Sequence, residues 1–168
     1  MKKLLVVTAM LALLAPIGLA EDKQYDVPGV FSFTYGDGWN KGQRNGADAK
    51  ELDWLVSTSD PHATFNAIMA RADYSYDDWI QRTIKTAGAY RVLTSRNDFK
   101  TTSGTSGYRL VWRVKAATGE DMVRQQYLFR GKGDTQILLS GMVDAANAEK
   151  FGSEFDAFAK SFAITKSK

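Results

Sequence analysis

The sequence contains no cysteine among its 168 residues. That excludes disulfide stapling, thiolate chemistry and a lipidated cysteine at an export cleavage site. Histidine occurs once, at His62. A catalytic dyad, a triad or a histidine-based metal centre would have to use that one residue. Without cysteine or a second histidine, no transition-metal site is expected. An excess of charge is lacking too. The first 20 residues hold two lysines and no acid, so removing them leaves 20 of the 22 basic residues against 19 acidic ones. Such a balance carries no electrostatic footprint for nucleic acid. Long apolar runs are confined to the N-terminus, and the one there, Leu4 to Leu14, is too short to span a bilayer comfortably.

What is present begins with an export signal. Lys2 and Lys3 precede the apolar run, Pro16 and Gly18 break it, and Gly18 and Ala20 are small residues where a signal peptidase reads. Residues 1–20 are therefore expected to be cleaved near Ala20. The mature protein is expected to be periplasmic or secreted, with no transmembrane segment and no lipid anchor. Of the 168 residues, 148 then remain, close to the usual size of one domain. Nine Phe, seven Tyr and four Trp can fill one core without metal or disulfide. The expected division is a flexible lead-in over 21–26, a single domain over 27–165 and a tail over 166–168.

Periodicity places the elements. Val30 to Tyr35 alternates as a strand with Phe31, Phe33 and Tyr35 on one face. Asn40 to Ala49 is glycine- and asparagine-rich and predicts an exposed loop. Glu51 to Thr58 and Thr64 to Arg71 read as a strand pair turned by Ser59-Asp60-Pro61-His62. Ser75 caps a helix whose apolar positions are Trp79, Ile80, Thr83, Ile84 and Ala87, with Gly88 as the stop. Strands are predicted at Tyr90 to Thr94, near Asp98 to Thr102, at Tyr108 to Lys115, at Val123 to Arg130 and at Gln136 to Val143. A closing helix from about Ala145 carries Phe151, Phe155, Phe158 and Phe162 on one stripe. Consecutive hairpins with one inserted and one terminal helix describe an α+β domain.

Candidate sites are few. His62 beside Asp60 reads as an exposed turn residue. Ser103 and Ser106 do not form a nucleophile elbow, and Gly131 to Thr135 joins strands rather than opening a helix, unlike a phosphate loop. Asp77 and Asp78 suit the positive end of a helix. Glu120 and Asp121 lie in a hairpin turn, where solvation is the simplest reading. Arg109, Arg113 and Lys115 share one face of a strand. If the next strand pairs so that Arg124 lies across from Arg113, the four form a basic patch for a partner. Phe33, Tyr35, Trp39, Trp79, Phe155, Phe158 and Phe162 are assigned to the core, with Trp39 folding back after a glycine turn to close one end of it.

The order of these features is also informative. An aromatic strand with Phe33 and Tyr35 leads to Gly38-Trp39. Gly107-Tyr108, the Arg124 to Phe129 strand and Ser161-Phe162 follow. In this the chain resembles the PsbP-like family, named for an extrinsic lumenal subunit of photosystem II, over most of Val27 to Ile164. Gly36 stands where the family commonly has proline, and the photosynthetic members' metal-binding residues find no counterparts here. The resemblance implies an α/β/α sandwich around a mainly antiparallel sheet, and a binding or assembly role rather than catalysis. The expected function is an exported, non-enzymatic module that binds a protein partner in an envelope or lumenal assembly, with no cofactor and no metal. The alternative is a small-molecule or lipid carrier with an apolar cavity under the C-terminal phenylalanine-rich helix.

Overall fold

The computed structural model describes residues 22–42, 51–71, 73–88 and 90–165, with 51–53 described by backbone alone. The expected signal segment, most of the Asn40 to Ala49 loop and the 166–168 tail lie outside the described residues. In chain order the elements are β1 (Lys23–Val27), β2 (Phe31–Tyr35), β3 (Trp39–Lys41), β4 (Glu51–Ser57), β5 (Thr64–Arg71), α1 (Tyr76–Lys85) and β6 (Arg91–Lys100). They continue with β7 (Ser106–Lys115), β8 (Asp121–Arg130), β9 (Thr135–Asp144), α2 (Ala148–Ser161) and β10 (Ala163–Ile164). A single 3-10 turn, Ala145–Asn147, leads into α2.

Seven strands form one antiparallel sheet in the order β3-β4-β5-β9-β8-β7-β6. β1, β2 and β10 form a small antiparallel sheet beside it. The order is not sequential. α1 and the β6-β7-β8 meander are inserted between β5 and β9, yet β9 returns to lie between β5 and β8.

Alternation along β8 shows how the two faces are used. Tyr127 and Phe129 point into one cluster, and Leu128 between them points into the other. On the first face α2 lays down its stripe. Phe151, Phe155, Phe158 and Phe162 are buried against Phe65, Ala67, Phe129 and Leu139. Gly141 permits this close approach, because a Cβ there would lie 2.4 Å from Cδ2 of Phe155. On the second face α1 covers Leu110, Trp112 and Leu128 with Ile80, which is fully buried, and with half-buried Trp79 and Ile84. The architecture is an α/β/α sandwich of the α+β class. Among the described residues no helix is long and apolar enough to cross a membrane.

Local chemistry sets the helix ends. The Ser75 hydroxyl accepts a hydrogen bond from the Asp78 backbone N–H at 3.1 Å, as an N-cap should. α1 ends at a Thr86 cap, and Gly88 follows with φ +75. Trp39 is 1 % exposed. Its ring meets Phe151, Phe155 and Phe158 edge-on at centroid distances of 5.9, 5.8 and 5.3 Å. Its indole N–H donates to Oε2 of Glu154 on α2 at 2.7 Å.

The structure departs from the sequence reading at three places. The polar lead-in is strand β1, not a flexible segment. Its Tyr25 is buried and stacks on Phe33 at 4.8 Å, and that burial outweighs the polarity of its neighbours. The two short strands expected between Tyr90 and Thr102 are one strand, β6. Its pairing with β7 shifts by one residue between Leu93 and Ser95, a bulge that interrupts the alternation without ending the strand. Finally, Ala163 and Ile164 pair with Ser32 and Phe31, a strand too short to leave a periodic signal.

Candidate functional site

The register of the β7–β8 hairpin decides where the basic side chains go. Lys115 pairs with Asp121, Arg113 with Val123, Trp112 with Arg124 and Arg109 with Tyr127. Directly opposed residues share a face. Arg109, Arg113 and Lys115 therefore lie on the α2 side, and Arg124 lies with Trp112 on the α1 side. The expected four-residue patch does not assemble, because the register sets Trp112 rather than Arg113 opposite Arg124, and a one-residue slip inverts the face.

The three residues on the α2 side differ from one another. Arg109 Nε lies 2.9 Å from Oδ1 of Asp156 on α2, and the Tyr127 hydroxyl donates to the same oxygen at 2.7 Å. Burial first, then the Asp156 charge, raises the Tyr127 pKa well above the ordinary phenol range. This group ties sheet to helix. Lys115 Nζ pairs with Asp121 Oδ1 at 2.9 Å across the hairpin end. Arg113 is exposed and forms no ion pair with the described residues.

Arg124 stands in another setting. α1 covers the β6–β8 half of its face, and among the described residues no helix covers the half over β4, β5 and β9. Two adjoining hollows run along this open half. One, of about 290 Å³, is lined by Trp54, Asn66, Ile68, Gln126 and Ser140, among others. The other, of about 410 Å³, is lined by Pro61, His62, Glu120, Met122 and Asp144, among others. Thr64, Arg124 and Met142 line both. Trp54 is 41 % exposed. Arg124 is half-buried. Its Nη2 reaches only Sδ of Met142, at 3.3 Å, and its Nε is shielded from solvent without an acceptor. Burial, then the charge of Arg91, lowers its pKa, yet an arginine stays a cation at neutral pH.

At the rim of the larger hollow the fold assembles a group that the sequence does not show. His62 Nδ1 lies 2.9 Å from Asp144 Oδ2. Asp60 Oδ1 accepts from the His62 backbone N–H, and Asp60 Oδ2 accepts from Asn147 Nδ2, each at 2.9 Å. One ligand atom from each of Asp60, His62 and Asp144 falls within 4.8 Å of the others. The hydrogen bond to Asp144, then its charge, raises the His62 pKa above 6.5. The cluster thus favours the positively charged form of the imidazole. An imidazole with two carboxylates is also a donor set that a divalent cation accepts. A base held by a carboxylate is half of a nucleophilic triad. The other half is not formed, since no hydroxyl among the described residues hydrogen-bonds the His62 ring.

No family model matches the chain, and no curated protein does. Solved structures do. The cyanobacterial PsbP of Synechocystis sp. PCC 6803 matches at a TM-score of 0.60 with 15 % identity, over 92 % of this chain and 99 % of its own. The fold is PsbP-like. It also matches LpqN of Mycobacterium tuberculosis, described as involved in cell envelope biogenesis, at a TM-score of 0.61 with 13 % identity, over 86 % of this chain and 91 % of that one. The Ran-binding protein Mog1p of Saccharomyces cerevisiae matches at 0.57 with 12 % identity, over 88 % and 97 %. At such identities the PsbP-like likeness speaks for the fold, while function has to be read from the site.

Sequence reasoning placed Arg124 on the wrong side of its sheet and left His62 without Asp144. The signal for the second pair was present in principle. In the β5–β9 register Thr64 faces Met142. Extending that register by two residues brings His62 opposite Asp144. Reading it requires knowing that β5 and β9 are neighbours.

Proposed function

We propose that this protein is an exported, non-enzymatic module that binds a protein partner in the cell envelope, and that the partner docks on the open half of the large sheet. The observation that carries this reading is the pairing of exposed Trp54 with half-buried Arg124, whose Nε has no acceptor, on a sheet face that α1 leaves uncovered. Aromatic and arginine side chains are the residues on which binding energy concentrates at interfaces. The charged start, short apolar run and small residues of the first 20 positions support export. The same fold serves a protein described as Ran-binding and another described as involved in cell envelope biogenesis, so it is compatible with partner binding. The carrier alternative finds less support, because the space beneath α2 is filled. Phe65 packs on Phe155 at 5.6 Å and on Phe158 at 5.3 Å, and Trp39 closes the remainder.

Site-specific photo-crosslinking in the exporting cell tests the proposal. A photoreactive residue at Thr64, in the open half, should give a discrete adduct with one envelope protein. The same residue at Ser153, exposed on α2, should not. Equal adducts from both positions, or none from Thr64, would overturn it.

A further inference from the structure

We infer that Arg124 receives the carboxylate of an acidic side chain from the middle of an extended partner segment lying along the open half of the sheet. This rests on the docking reading above and names the chemistry that the docking face recognises.

Among the residues lining the smaller hollow, Arg124 is the single charge. The rest are an indole, two carboxamides, two hydroxyls and three apolar side chains, so the one charged group in the lining is a cation. Among the described residues the cation has no counter-charge. Its Nε is sealed from water with no acceptor, and its Nη2 meets a thioether, a weak acceptor. Arg91 adds like charge nearby. A carboxylate fits this defect. Its two oxygens match the planar fork of a guanidinium, and its single negative charge neutralises a single positive one. A phosphate fits less well. No second cation lines the smaller hollow, while Glu120 and Asp144 line the larger one and oppose a dianion.

Position argues for an internal residue of the partner. Arg124 lines both hollows, so the groove continues on either side of it. A chain laid along the groove passes over Arg124 instead of ending there. Trp54 and Ile68 offer apolar contact on one side, and Pro61, Met122 and Met142 on the other. The methionines adapt to more than one flanking side chain. Asn66 and Gln126 offer donors and acceptors to the segment's backbone. Toward the His62–Asp144 end, Glu120 disfavours a second acid, so the acidic residue is expected with neutral or basic residues on that side.

A display library of random dodecapeptides, with linker on both sides so that no chain end is presented, tests this against the full mature protein. Selected peptides are then synthesised with both ends capped, in the acidic form and with the acid changed to its amide. The expected result is a shared acidic position, with the amide form binding at least about tenfold more weakly. Arg124→Met should bind the two forms equally, completing a double-mutant cycle, while its unfolding midpoint shows that the fold persists. Equal binding of acid and amide by the unaltered protein, or discrimination that survives in Arg124→Met, overturns the proposal. So does binding that needs a free C-terminal carboxylate. If Trp54→Ala weakens binding while acid and amide bind alike, the docking face stands and the carboxylate falls. If no peptide is selected, or the selected ones ignore both substitutions, both readings fall.

Discussion

Trp39→Ala is the sharpest test of how the core is built. The indole is 1 % exposed and meets three phenylalanine rings of α2 edge-on. Removing so large a buried aromatic side chain costs about 3–5 kcal/mol, because the walls collapse only in part. Each edge-to-face pair adds roughly 0.5–1.5 kcal/mol beyond burial, which places the expected value toward the upper end. The hydrogen bond to Glu154 can be separated from the packing. Trp39→Phe keeps an aromatic ring but leaves Glu154 Oε2 without its donor. A hydrogen bond to a charged group contributes about 1.5–3 kcal/mol, so Phe should recover part of the loss and no more. Glu154→Gln keeps an acceptor and should cost about 1 kcal/mol or less. Urea unfolding followed by far-ultraviolet circular dichroism measures all three, with an unchanged m-value confirming that stability alone has moved. Domains of this kind have only about 5–15 kcal/mol to lose, so the Ala variant should lie near the edge of folding. A loss below about 0.5 kcal/mol, the range of ordinary surface sites, would refute the account of Trp39 as the wedge between β3 and α2.

Three further outcomes are expected. Protonated His62 is held by Asp144 in the folded protein, so its pKa is raised above 6.5. The stability it contributes is complete below 6.5 and fades as pH rises through the raised value, because the unfolded chain releases that proton first. Melting temperature should therefore fall on going from pH 6 to pH 8 relative to His62→Gln, and identical pH profiles would refute the coupling. Gly141→Ala should lose about 1–3 kcal/mol by forcing Phe155 away, whereas Gly36→Ala, with nothing within 4 Å of the added carbon, should stay within about 0.5 kcal/mol; equal effects would contradict the packing described. Mass spectrometry of the exported protein should find Glu21 or a near neighbour at the N-terminus, and an intact Met1 would contradict the signal reading.

Much of the fold was legible because the local signals agree with one another. The phenylalanine stripe of α2, the Ser75 cap, the Pro61 turn and the alternation of β2, β7, β8 and β9 each point to the element that forms. The failures share a cause. β1 is polar at most positions and exists because one residue, Tyr25, stacks on a strand that the local sequence cannot identify as its partner. The bulge at Thr94 breaks the period-two pattern, so one strand read as two. β10 has two residues and is defined wholly by pairing with β2. In each case tertiary contact decides against, or in the absence of, local preference.

The candidate site was less legible than the fold, for a stricter reason. A strand's residues alternate between faces, so which residues share a face within one strand can be read locally, but which residues share it across strands depends on register. In the β7–β8 hairpin, a shift of one residue separates a basic cluster from the observed arrangement, in which Arg124 stands apart on the far side of the sheet. The sequence from Lys115 to Asp121 does not settle that shift, because a turn centred on Thr118 and one centred between Thr118 and Gly119 both suit Thr-Gly. Burial settles it. With Trp112 opposite Arg124, the indole of Trp112 lies under α1, and Leu110 and Leu128 close the same cluster. The alternative register would bring Arg124 to the α2 side and send Leu128 out of the α1 cluster, where it is fully buried. Packing beneath α1 thus fixes the register, and the register leaves Arg124 at the edge of what α1 can cover. The half-buried cation proposed to recognise a partner is, on this account, a consequence of the same hydrophobic cluster that holds the first helix to the sheet.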